Sequence, residues 1–205
     1  LCAFYLPEPS KELRFGDVVT GFQYAAIHMD SPNKGAKRLD VKIHVTSPEC
    51  FAIMTPCCSI EEKSVALAPF VDLRWQISQV PYLKDNPLRI NSEMEAHLPF
   101  SPEQLEKMPE AKRNELYARP PAYIYLDCFV YAPTDIFATY TVKRGGQEWK
   151  DIRHRMVDFK SIFRVECTQI VRNQPVSDGI KIAELSEESR TQLRQKLTYY
   201  FGRPA

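Results

Sequence analysis

A chain of 205 residues can bury one large core without disulfide or metal staples. Its 27 basic and 26 acidic residues leave a formal charge of +1, so no molecule-wide field steers it toward nucleic acid, and a polyanion site has to be a local patch. No apolar run approaches the ~20 residues of a membrane helix, which excludes a helical span within this sequence.

The cysteines Cys2, Cys50, Cys57, Cys58, Cys128 and Cys167 lack the regular spacing of a stapled small domain and contain no CxxC pair. The histidines His28, His44, His97 and His154 are scattered, without the short spacings of a zinc site. Reduced thiols, a cytoplasmic location and no cofactor are the expectation. The opening LCAFYLPEPSKELRFGD has no basic leader before an apolar stretch that stops at Pro7, so no secretory signal is expected. A start at Leu1 reads as a missing beginning.

Sixteen prolines against seven glycines favour many short elements with stiff connections. Residues 17–27, DVVTGFQYAAI, read as one strand with Gly21 as a bulge. After the loop SPNKGAK, residues 39–46 alternate Leu39, Val41, Ile43 and Val45 with polar residues, the period of a half-buried strand that sends His44 to the solvated face. Residues 51–55 and 65–70 are near-continuous apolar runs around CCSIEEKS and read as two buried strands.

Prolines bracket a charged stretch over residues 81–121. Ser101 can cap a helix with Pro102 in its first position and Gln104 closing a capping box, and Pro109 divides the helix in two. The segment is expected to be a helical insertion against a sheet, its charges a solvated face. Residues 122–132, AYIYLDCFVYA, are apolar on both faces and read as a central strand. There Cys128 is a small core residue, and Asp127, among tyrosines, is the acid expected to have a perturbed pKa and a catalytic candidate.

Gly145 and Gly146 place a β-hairpin in TYTVKRGGQEWKDIRHRM. Lys143, Arg144, Lys150, Arg153 and Arg155 gather near its tip and second strand. With Trp149 they form a candidate site for nucleic acid, bases stacking on the indole while cations meet phosphates, or for another partner. The same charges could instead discourage edge pairing. In LSEESRTQLRQKLTYYFGRP, Ser186 caps a last helix that Gly202 and Pro204 end. Leu193, Leu197, Tyr200 and Phe201 form its apolar stripe, and Arg190, Arg194 and Lys196 a mildly positive surface.

Cys57 is a candidate nucleophile only where a histidine, cation or helix N-terminus lowers its pKa. Because neighbours in an extended segment face opposite ways, at most one of Cys57 and Cys58 could reach a shared site. Filler at a strand end is the alternative.

Arg14-Phe15-Gly16-Asp17-Val18-Val19, then Phe51-Ala52-Ile53-Met54-Thr55-Pro56, then Val65-Ala66-Leu67-Ala68-Pro69, over residues 14–70, resemble the barrel of PemK/MazF-type bacterial toxins. The resemblance implies an SH3-like barrel that cuts single-stranded RNA without a metal, using an arginine before the second strand and a Ser/Thr after the third. Cys50 and the Val71-Asp72 pair stand at those places, so the family's catalytic arginine is not matched. Arg38, upstream, is the candidate substitute.

The expectation is one composite α+β, β-rich domain over residues 1–205: an SH3-like barrel or strongly bent antiparallel sheet (14–80), the helical insertion (81–121), strands with the basic hairpin (122–172), and a C-terminal helix (184–202). The expected function is that of a non-catalytic, bacterial-type accessory module binding a protein partner ahead of nucleic acid, with no membrane role. A toxin-like endoribonuclease is the alternative, and a cysteine-dependent enzyme the third reading.

Overall fold

A computed structural model of the chain describes residues 3–22, 24–29, 41–46, 48–56, 59–60, 64–166 and 181–202. In chain order the strands are β1 (Val18–Val19), β2 (Tyr24–Met29), β3 (Val41–Thr46), β4 (Phe51–Ile53), β5 (Ser64–Val71), β6 (Cys128–Tyr131), β7 (Tyr140–Arg144), β8 (Gln147–Ile152), β9 (Arg155–Asp158), β10 (Phe163–Glu166) and β11 (Lys181–Ala183). The helices are α1 (Trp75–Ser78), α2 (Pro81–Asp85), α3 (Pro102–Glu106), α4 (Glu110–Ala118) and α5 (Glu187–Phe201), with 3₁₀ turns at Pro87–Asn91 and Phe159–Ser161.

The fold is α+β and rich in β-structure. Strands β11, β1, β4, β5, β9 and β6 lie side by side in that order, and β10 also pairs with β5. The near-continuous apolar run SVALAPFV makes β5 the spine. Leu67 faces Ile53 of β4 on one edge and Phe163 of β10 on the other, while Phe70 and Val71 pair with β9. The 3₁₀ turn at Phe159–Ser161 separates β9 from β10, so one long strand serves two partners in succession. Among the described residues no barrel closes, because β11 and β6 stand at the two ends of the order.

The strand expected over residues 17–27 is two strands in two sheets. Val18 and Val19 join the main sheet, whereas β2 pairs with β3 as a separate hairpin. Gly21, at φ 89°, turns the chain instead of bulging it, and the Thr20 hydroxyl donates to the Glu49 carbonyl at 2.9 Å to fix the break. Val45, expected on a buried face, is 61% exposed.

The strand expected over residues 122–132 forms only at β6, and at the sheet's end, not its centre. Its four residues are nonetheless completely buried. Phe129 and Tyr131 point into a core shared with β1, β4, β5 and α5, and Cys128 and Val130 into a second core with Leu73, Ile77, Leu83 and Ile90. The missing strand partner is replaced by one side chain. Asn91 Nδ2 donates to the Val130 carbonyl at 2.6 Å and Asn91 Oδ1 accepts from the Val130 N–H at 2.8 Å.

Helical structure begins at Trp75, and α3 carries the capping box: Gln104 N–H donates to Ser101 Oγ at 3.3 Å and Ser101 N–H to Gln104 Oε1 at 2.8 Å. Pro109 stands at the N-cap of α4, and neither helix has a buried residue. Helix α5 starts at the Ser186 cap and ends at Gly202.

Two basic residues of α5 expected on its surface are buried, Arg190 at 3% and Lys196 at 0% exposure. Arg190 and Lys181 meet Asp17 and Glu184 in a buried cluster, with Lys181 Nζ at 2.7 Å from Asp17 Oδ2 and 2.8 Å from Glu184 Oε2. Burial alone would raise the Glu184 carboxyl, but Lys181 and Ser10 outweigh it and hold it at about 2. Lys196 Nζ donates to the Ile90 carbonyl at 2.5 Å beneath the Tyr123 ring.

Candidate binding clefts

The two-residue Gly145–Gly146 turn builds the hairpin of β7 and β8, both glycines at positive φ. Asp151, at φ 54°, absorbs a register shift between the Tyr140 and Val142 pairs. Inward go Tyr140, Val142, Trp149 and Ile152, which pack on the second core. Outward go Lys143 and Lys150, which grip the Glu148 carboxylate at 2.5 and 2.9 Å. Their hydrogen bonds lower its pKa. Arg144 is exposed, and Arg153 reaches Asp135 at 3.9 Å.

Arg155 does not join this surface. It lies on β9, 7% exposed, donating to the Ala138 carbonyl at 2.9 Å and to Glu49 at 3.1 Å, its guanidinium over the Tyr140 ring at 4.5 Å. A cation so enclosed braces the base of the hairpin and cannot meet a ligand there.

Trp149 is half-buried and forms one wall of a cleft of about 370 Å³ shared with Trp75, Ser78, Gln79, Lys84, Gln147 and Glu148. Both tryptophans of the chain therefore meet in one place. Helix α1 delivers Trp75 because Leu73 and Ile77 are anchored in the core on either side of it. Lys84 follows from α2, where Leu83 is the buried neighbour. Sequence reading found Trp149 but missed Trp75, Gln79 and Lys84; the signal available was that Trp75 is the chain's second tryptophan.

A larger cleft, about 790 Å³ and mostly apolar, opens between α5 and the stretch after β4. Phe15 and Met54, both nearly buried, line its depth. Helix α5 contributes Arg194, Leu197, Thr198 and Phe201, which at i, i+3, i+4 and i+7 form one helical face. The apolar stripe expected on α5 is thus divided: Leu193 is fully buried and Tyr200 packs against the core, whereas Phe201, also expected there, is 66% exposed at the cleft. Packing demands apolar residues of both faces, so the sequence alone does not separate them.

Asp127 has the perturbed pKa expected of it, in the direction that removes it from acid–base work. Burial, which raises, is outweighed by Arg74 at 2.8 Å and Lys160 at 2.9 Å, and the carboxyl is held at about 2. Arg74 also reaches Asp158 at 2.7 Å. A carboxylate so held neither accepts nor donates a proton near neutral pH. Cys50, at the toxin-like arginine position, is 2% exposed, and burial pushes its thiol up to about 12. Cys57, Cys58 and Arg38 lie outside the described residues, as do the side chains of His28 and His44.

Among the described residues no three His, Cys, Asp or Glu side chains gather as metal ligands, and no helix is long and apolar enough to cross a membrane. Comparison with protein-family models, with curated proteins and with solved structures finds no match to this chain.

Proposed function

We propose that the protein is a non-catalytic interaction module that receives an amphipathic helix of a protein partner in the apolar cleft beside α5. The observation that carries this reading is the face Arg194, Leu197, Thr198 and Phe201, spaced as one helical stripe along a cleft of about 790 Å³ with Phe201 66% exposed. Grooves of this kind take the apolar face of a partner helix, and an aromatic side chain is the usual energetic anchor of such a contact. Arg194 has no ion pair among the described residues. An acidic residue on the partner beside its apolar anchors supplies the missing charge. A non-catalytic reading is supported by Asp127, the one of the candidates Cys57, Arg38 and Asp127 that lies among the described residues, whose carboxyl is held ionised.

Selection from a random peptide display library tests it. Enriched peptides are expected to pair apolar residues at helical spacing with Asp or Glu. Their affinity should fall about tenfold or more in Phe201→Ala, the loss typical of an anchor residue, fall again in Arg194→Glu, and be unchanged in Trp149→Phe. Enriched peptides that lack an acidic residue, or that bind Phe201→Ala as well as wild type, overturn the proposal.

A further inference from the structure

We infer that the cleft between Trp75 and Trp149 is a nucleotide site, in which one base lies against the indoles and its phosphate meets Lys84. This site is separate from the α5 cleft and does not depend on the reading proposed for it.

Trp149 packs against the second core, and Trp75 is half-buried on α1 between the core residues Leu73 and Ile77, which places both walls before a ligand arrives. Among the described residues neither indole stacks on another ring and neither indole N–H has a hydrogen-bond partner. Two flat apolar surfaces with free donors are what a base uses, and stacking of this kind is tolerant of base identity. Among the described residues the Gln147 side-chain amide has no hydrogen-bond partner, and Gln79, also in the lining, donates from Nε2 to Ser78 Oγ at 3.0 Å while its Oε1 has none. An amide presents donor and acceptor together, the pairing that base edges require.

Charge separates a nucleotide from a neutral flat ligand. Lys84 lines the cleft and has no ion pair among the described residues. Glu148, the one carboxylate of the lining, is already gripped by Lys143 and Lys150. Of the charged residues that line the cleft, Lys84 is therefore the one without a counter-charge among the described residues, and exposed Arg144 stands at the hairpin tip. A neutral sugar could stack on the same indoles, but it would leave Lys84 unanswered.

Intrinsic fluorescence reads the cleft directly, since it holds every tryptophan of the chain. The full chain is titrated with AMP, UMP, a ten-residue oligouridylate and the neutral disaccharide cellobiose. Quenching by the nucleotides or the oligonucleotide is expected. It should weaken about tenfold in Trp75→Ala, within the range lost with one stacked base. Lys84→Gln, an exposed change that leaves the fold alone, should lower the slope of log affinity against log salt by about 0.7, one phosphate contact on a single strand. Quenching by AMP or UMP at per-base affinity equal to the strand identifies a free nucleotide as the ligand, and quenching by the strand alone identifies single-stranded nucleic acid. Stronger quenching by cellobiose, no quenching by any of the four, or an unchanged salt slope in Lys84→Gln overturns the inference. Phe201→Ala is expected to leave all four titrations as they are, so failure here says nothing against the α5 cleft.

Discussion

Gly16 and Asp17 show how much a pair of residues can hold in place. Asp17 Oδ2 accepts from the Arg14 N–H at 2.7 Å and from Lys181, while the Gly16 carbonyl accepts from the Tyr131 hydroxyl at 3.1 Å. Gly16 has φ 86°, and a Cβ there would stand 2.6 Å from Leu185 Cδ1 and 3.1 Å from Leu193 Cδ2. Gly21 has nearly the same φ, 89°, with nothing within 4 Å. The two glycines therefore separate backbone strain from close approach. Gly21→Ala is expected to cost about 1–2 kcal/mol for the left-handed conformation alone. Gly16→Ala should cost roughly 1–3 kcal/mol more, the range for overpacking a core. Urea unfolding of both variants measures the difference, and equal losses would show that Leu185 and Leu193 yield at no cost.

Among the elements, β6 depends on a residue outside any strand. Asn91 satisfies both backbone groups of Val130, so Asn91→Leu leaves a buried N–H and a buried carbonyl without partners. At about 1–3 kcal/mol for each unsatisfied group, the loss should be roughly 2–6 kcal/mol, with the Val130 amide exchanging faster than its neighbours Phe129 and Tyr131. A stability within about 0.5 kcal/mol of wild type, the range of neutral surface changes, would mean that water or a shifted backbone replaces the side chain. The same residue explains what was legible at this level. Alternation in CFVY correctly implied two buried faces, because facing direction is a local property of a strand. Its place at the end of the sheet was not legible, since an asparagine 39 positions away closes the edge that another strand was expected to close. Strands β4 and β5 and the capping box of α3 were readable from contiguous residues. Burial of Arg190 and Lys196 was not, because their partners Asp17, Glu184 and Ile90 come from elsewhere in the chain. Trp75 and Trp149 face one cleft for the same reason, through packing of α1 beneath the hairpin.

At the scale of the whole molecule, the buried cation Lys196 should be visible in the pH dependence of stability. Lys196 is fully buried, and burial lowers its pKa to about 8 although Cys128 and Asp127 favour the charge, with Arg74 opposing it. The Tyr123 ring and the Ile90 carbonyl are its other neighbours. In the unfolded chain the same amine titrates near 10.4. Between these values the unfolded chain binds more protons at this amine than the folded one, so the amine's contribution to stability rises with pH across the window from about 8 to about 10. Below that window the folded state bears the cost of an ammonium in a poorly solvated place. The Cys50 and Cys128 thiols have pKa values raised by burial, so they oppose the lysine once unfolded thiols ionise at about 8.5, and the buried Tyr5, Tyr131 and Tyr140 do the same above about 10; the difference between wild type and a lysine variant isolates the amine. Relative to Lys196→Met, wild type should therefore gain roughly 1–3 kcal/mol of stability in urea unfolding between pH 7.5 and pH 9.5, from a shift of this size at 1.36 kcal/mol per pKa unit. Lys196→Met removes the titrating amine and should leave the thiol- and tyrosine-dependent fall with rising pH. Parallel profiles for the two proteins would place the lysine in a solvated setting and remove the buried ammonium from the account of this fold.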